Sequence, residues 1–211
     1  MSRLIAFSGG CFSGKTTTLK RVKSFLEDTG HNVVVLDELI RTATDKPIDE
    51  IRKDASAYFE LQNHIIRGKI AQESLALAND DERTVYLADR AITDSLFYLQ
   101  NYVNKNNLSR DEIKKYCRLH TLVLNYAKCI YDAKDFCVLR FTPLSGSSTD
   151  KYRPENLDHL KYYEHEAISL LNDSFKGTEY SATQIEVNLN RDTPEDVFGY
   201  VSGFLIDTSI I

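Results

Sequence analysis

Gly9, Gly10, Cys11, Phe12, Ser13, Gly14, Lys15 and Thr16 stand in the order G-x-x-x-x-G-K-T, a spacing whose chemistry is the grip of main chain on an anion. Gly9 and Gly14 let the backbone wrap closely, and successive N–H groups and a helix N-terminus then face the anionic oxygens. Lys15 reaches the β- and γ-phosphates of a nucleoside triphosphate, and Thr16 is placed to ligate Mg²⁺. ATP and Mg²⁺ are therefore the expected cofactors. Thr17 offers a second hydroxyl, either near the α-phosphate or as an ordinary helix-terminal group. Cys11 sits inside the loop, as a tolerated side chain or an oxidation-sensitive thiol.

An anion loop serves kinases, GTPases, motors and regulatory ATPases alike, so other residues must choose among them. Asp89 and Arg90 end an apolar run, TVYLADR, at the position where an open parallel sheet presents side chains to its ligand crevice. Asp89 is read as a holder of Mg²⁺ or of the acceptor. Arg90 is read as a binder of acceptor phosphate or of the transferring phosphoryl group. Asp37 and Glu38 end an earlier run, HNVVVLDE, in the same geometric class. Glu38 is the better candidate to grip or deprotonate an acceptor hydroxyl, and Arg41, about one helical turn on, either binds acceptor phosphate or pairs with Glu38. Lys151 and Arg153 lie in a polar, turn-rich stretch that reads as a short lid over about residues 145–158, with Arg153 as the cation that meets the transition state after closure. Tyr58, Phe59, Phe97 and Tyr98 are either core or the lining of an acceptor-base pocket. Histidines 64, 159 and 165 have no metal-site grouping, so no zinc is expected.

The elements that must hold these residues follow from hydrophobic periodicity. An apolar strand from about Leu4 to Ser8 leads through the glycine loop into a helix that Gly30 ends. HNVVVLDE is a second strand, continuous enough to be covered on both faces. A long helix is expected from about Asp49 to Asn79, broken near Gly68. A third strand, TVYLADR, precedes a helix through ITDSLFYLQNYV, and Ser109 with Glu112 forms a capping box before another helix. DFCVLRFTPL is a fourth strand and YSATQIEVNL a fifth, with helical HLKYYEHEAISLLNDSF between them, and a last helix begins at Thr193-Pro194. The expected fold is one three-layer α/β/α domain over residues 1–211, with a five-stranded, mostly parallel sheet and the short lid.

The chain has 211 residues, 42% hydrophobic and 27% charged, with a formal net charge of −5. This acidity weighs against broad attraction to nucleic acid or anionic membrane, while leaving room for a small positive pocket. The four cysteines lack paired metal spacing, no apolar run approaches the roughly 20 residues of a membrane span, and the N-terminus does not read as a signal peptide, so a cytoplasmic address is expected. There is no guanine-selecting Asn-Lys-x-Asp element. The short length favours a phosphotransferase acting on a small substrate.

Taken together, GGCFSGKTTT, VVVLDELIR and YLADRAITDSLFYLQ resemble P-loop nucleoside and nucleotide kinases, especially thymidylate-kinase-like enzymes and small phage or bacterial AAA-type kinase domains. The resemblance spans most of the core. It implies Mg·ATP-dependent phosphoryl transfer to a nucleoside monophosphate, with a deoxynucleotide as the leading acceptor. Asp89, Arg90, Ser95 and Tyr98 match the thymidylate-kinase pattern in part, but Ala91 stands where that pattern has tyrosine, so base selectivity stays open. Deoxynucleoside kinases carry a related carboxylate after the second strand and an acidic-Arg-Ser segment after the third, so Glu38 and Arg90 also admit an unphosphorylated nucleoside. A base or an end of DNA, and a regulatory ATPase without a small acceptor, are further alternatives. The resemblance also admits a homodimer.

Overall fold

The computed structural model describes residues 3–9, 13–79, 81–131, 136–141 and 193–207. Among these residues the sheet is parallel, with four strands in the order β2-β3-β1-β4: β1 is Arg3–Gly9, β2 Asn32–Leu36, β3 Thr84–Asp89 and β4 Phe136–Phe141. The expected fifth strand and the helix before it lie outside the described residues, as does the lid segment with Lys151 and Arg153. β1 shows why three layers form. Leu4, Ile5, Ala6 and Phe7 are all buried; Leu4 and Ala6 point into one apolar cluster, while Ile5 and Phe7 point into the other. With a side-chain period of two, a continuous apolar strand must be covered on both faces.

Helices α1 (Lys15–Asp28) and α7 (Pro194–Asp207) cover one face. They are joined at their polar edges by Arg21 and Glu195, 2.5 Å apart. The short α3 (Ile48–Ile51) and the long α4 (Ala55–Leu77), α5 (Asp94–Lys105) and α6 (Arg110–Tyr131) cover the other. A four-residue α2 (Ile40–Ala43) follows β2. The second strand departs from expectation: among the described residues it is an edge strand with Asn32 and Val34 exposed, because β3 is its one neighbour there.

Local signals set the helix ends. The amide of Gly30, with φ of +90°, donates to the Glu27 carbonyl and that of His31 to Leu26, closing α1 in a Schellman arrangement. At α6 the Ser109 amide donates to Glu112 at 2.7 Å and the Glu112 amide to the Ser109 hydroxyl at 3.4 Å, the expected capping box. The long segment after Asp49 breaks at Arg52–Asp54, where the Asp54 carboxylate accepts from the amides of Ser56 and Ala57, and α4 runs unbroken through Gly68. Gly68 meets a packing need instead: a Cβ there would lie 2.9 Å from Leu39 Cδ1.

Candidate active site

The loop after β1 is built on two left-handed glycines. Gly9 has φ of +139°, and a Cβ on it would collide with the Phe141 carbonyl oxygen of β4. Gly14, with φ of +78°, is the N-cap of α1 and brings no side chain to cap it, so the first amides of α1 face the loop. Lys15 is buried and folds back across the loop, donating to the Gly9 carbonyl at 3.0 Å and to the Ser13 hydroxyl at 3.1 Å. Thr16 Oγ1 donates to Asp89 Oδ2 at 3.2 Å, which ties the start of α1 to the end of β3. Thr17 is exposed. Gly10, Cys11 and Phe12 lie outside the described residues.

Parallel pairing of β3 beside β1 puts Asp89 opposite Phe7, two residues before the loop. The chain then turns sharply: Arg90 has φ of +91°, unusual for a residue with a Cβ, and its amide donates to the Phe7 carbonyl at 3.1 Å. Such a conformation persists where the surroundings over-determine it. Here Arg90 is held on every side. Its Nε donates to Glu38 Oε1, its Nη1 to the Gly9 carbonyl at 3.2 Å, and Nη1 also lies 3.7 Å from Asp94 Oδ2. Its guanidinium sits 5.3 Å from the centre of the Tyr98 ring. Asp94 itself is buried and accepts from Ser8 Oγ at 2.5 Å. Arg41, largely exposed, reaches Glu38 Oε2 at 3.5 Å.

These residues open onto a cleft beside the glycine loop. Asp37, Glu38, Asp89, Arg90, Tyr58 and Tyr98 line it, as do Arg52, Gln62, Lys69 and Asp94. The structure thus brings together Lys15, Thr16, Glu38, Arg41, Asp89 and Arg90, while Asp37 stands exposed at the cleft edge. Phe59 and Phe97 are not part of the lining and are buried. Tyr58 reaches the cleft but is held as core: its ring stacks on Tyr102 at 4.0 Å, its hydroxyl donates to the Tyr98 carbonyl at 2.9 Å, and burial pushes its phenol well above the usual range. Asp94, Arg52, Gln62 and Lys69 escaped the sequence reading. Gln62 and Lys69 follow Tyr58 on one face of α4, a signal hidden by the apolar residues interleaved with it.

The Thr16–Asp89 pair fits Mg²⁺: two neighbouring ligands of an octahedral ion with bonds of ~2.1 Å lie about 3 Å apart, and these oxygens are 3.2 Å apart. Among the described residues no group of three or more His, Cys, Asp or Glu side chains could hold a metal ion, so such an ion would lean on phosphate oxygens and water for its remaining ligands. Strand, glycine loop and helix in this order, on a parallel α/β/α sheet, make the architecture that of a P-loop NTPase. The AAA domain pattern matches residues 4–175. The chain belongs to the AAA domain family. Among solved structures, thymidylate kinase from Candida albicans is similar in fold at 14% sequence identity, with a TM-score of 0.63 over 99% of this chain and 93% of that one. No curated protein matches the sequence. No helix among the described residues is long and apolar enough to cross a membrane.

Proposed function

We propose that this AAA-family domain is a Mg·ATP-dependent kinase that phosphorylates a nucleoside. The observation that carries the reading is that the anion loop and the cleft share one wall: Asp89 touches Thr16 of the loop, and the adjacent Arg90 touches both Gly9 of the loop and Glu38 of the cleft. A donor held by the loop and an acceptor held by the cleft would meet at that wall. Lys15 and the α1 amides take the β- and γ-phosphates. Thr16 and Asp89 would hold Mg²⁺, whose chemistry there would be to offset the negative charge of the triphosphate. Arg90 faces the transferring group, and Glu38 receives the proton as the acceptor oxygen forms its bond to the γ-phosphorus and the bond to the ADP oxygen breaks. Arg153, in the lid expected over about residues 145–158, is proposed as a further cation.

Charge argues for an acceptor hydroxyl over an acceptor phosphate. Among the described residues, the cleft lining has four carboxylates, Asp37, Glu38, Asp89 and Asp94, against three cations, Arg52, Lys69 and Arg90. Arg90 is already shared between Glu38 and Asp94, so a dianionic group would have to pull it from both. A nucleoside monophosphate is the second reading. Arg41 favours it, because its 46% exposed side chain, at 3.5 Å from Glu38, can exchange that partner for a phosphate at the rim. A mass-resolved screen with Mg·ATP over nucleosides, monophosphates and short DNA strands decides between them. A nucleoside heavier by one phosphoryl group supports the leading reading, a diphosphate supports the second, and ATP loss without any phosphorylated product rejects both.

A further inference from the structure

The floor of the cleft holds a cation that the proposed transfer does not use. On α4, Tyr58, Gln62, Ile65 and Lys69 follow at spacings of four, three and four residues, one face of a helix, and all of them line the cleft. Lys69 is 5% exposed, and its Nζ makes no hydrogen bond among the described residues. Its counter-charge is Glu73, one turn further along and completely buried, with Oε1 at 3.7 Å, beyond hydrogen-bond reach. Glu73 does not line the cleft. The pair therefore turns its cation towards the cleft and its anion towards the core.

Buried polar groups are almost always hydrogen-bonded, so a buried ammonium that faces a cleft with open donors requires a partner from the ligand or from water. Burial lowers the Lys69 amine and raises the Glu73 carboxyl to about 7, as expected for charges removed from water. Two arguments define the partner. Asp94 and Asp89 face Lys69 electrostatically and outnumber the one other cation there, Arg90, so the spot does not draw a phosphate. A protonated ammonium has three donors and no acceptor, so it takes a carbonyl oxygen and rejects an amino group. Gln62 carries both a donor and an acceptor and accommodates either edge, which leaves the discrimination to Lys69.

We propose that Lys69 hydrogen-bonds a carbonyl oxygen on the base of the acceptor, making the cleft selective for keto over amino nucleobases. This rests on the reading of the cleft as the acceptor site. The test compares two pairs in which a carbonyl beside a ring N–H gives way to an amino group beside a bare ring nitrogen, deoxyuridine with deoxycytidine and deoxyinosine with deoxyadenosine; Gln62 can meet the ring nitrogen in either form. Binding is measured by calorimetry, and phosphorylation is measured alongside it. The keto member is expected to bind about 10- to 100-fold more tightly, the range of one hydrogen bond from a charged donor. K69R should keep the preference. The double variant K69M/E73Q, which leaves no unpaired buried charge, should lose it. Equal or tighter binding of the amino members, no binding of any member, or a preference that survives K69M/E73Q overturns the proposal. ATP binding shows that the double variant is folded; if it is not, the wild-type ratios decide alone. Keto-selective binding without phosphorylation would uphold this site and reject the kinase reading, and phosphorylation without base preference would do the reverse.

Discussion

Replacing Glu38 with glutamine separates its chemical role from its structural one. The amide keeps the shape and one oxygen acceptor for Arg90 Nε but cannot take a proton from the acceptor hydroxyl. Loss of a positioned general base slows the chemical step by about 10²–10⁴-fold. The structural cost is smaller. The Glu38 and Arg90 side chains are 11% and 15% exposed, so solvent screens their pairing little. A hydrogen bond to a charged group is worth ~1.5–3 kcal/mol. Because Arg90 keeps Gly9 and Asp94 as partners, the low end applies, about 1.5 kcal/mol. At ~2–4 °C per kcal/mol for a chain of this size, E38Q should melt about 3–6 °C lower. Rapid-quench single-turnover transfer with saturating ATP and acceptor reads the first effect, and thermal melting reads the second. ATP affinity should stay near wild type, since Glu38 faces the cleft and not the loop. A single-turnover rate within about threefold of wild type would remove Glu38 from the proton-accepting role.

Lys15→Ala should cut turnover by about 10²–10³-fold, the cost of one preorganised donor; unchanged turnover in the same assay would overturn the role given to the loop. Gly9→Ala should cost ~1–3 kcal/mol of stability in chemical denaturation, because the new methyl meets the Phe141 carbonyl, and a neutral result would contradict that close approach. The Glu73 carboxyl is raised in the fold from 4.5 to about 7, so the native state holds its proton where the unfolded chain has lost it. Its contribution to stability is complete below pH 4.5 and disappears as pH rises through about 7. Denaturation across that window should show wild type losing stability relative to E73Q, and parallel curves would refute the burial-driven shift.

The two ends of the site differed in how readable they were. The glycine loop was legible because its constraint is local: Gly9, Gly14 and Lys15 lie within one turn of chain, between a strand and a helix that periodicity identifies. Asp89, Arg90 and Glu38 were legible as strand ends, because parallel sheets gather those ends at one edge. Asp94 was not, since its value comes from contacts with Ser8 and Arg90 made by a turn that begins at a positive φ. Lys69 and Gln62 were missed because a helix inside a three-layer domain buries more than one stripe, and the apolar stripe of Ile66 and Ile70 masks the polar one beside it. Gly68 misled for a related reason: glycine marked a break, whereas the contact with Leu39 required a missing side chain. The edge position of β2 depended on sheet order, which strand patterning does not encode.

The central claim is that the loop and the cleft form one reaction centre, and the most direct measurement is ADP formation with and without acceptor, alongside a count of the phosphorylated product. The account predicts that a nucleoside accelerates ADP release and that phosphorylated nucleoside appears in equal amount. ATP hydrolysis at one rate regardless of nucleoside, with free phosphate as the product, would contradict it.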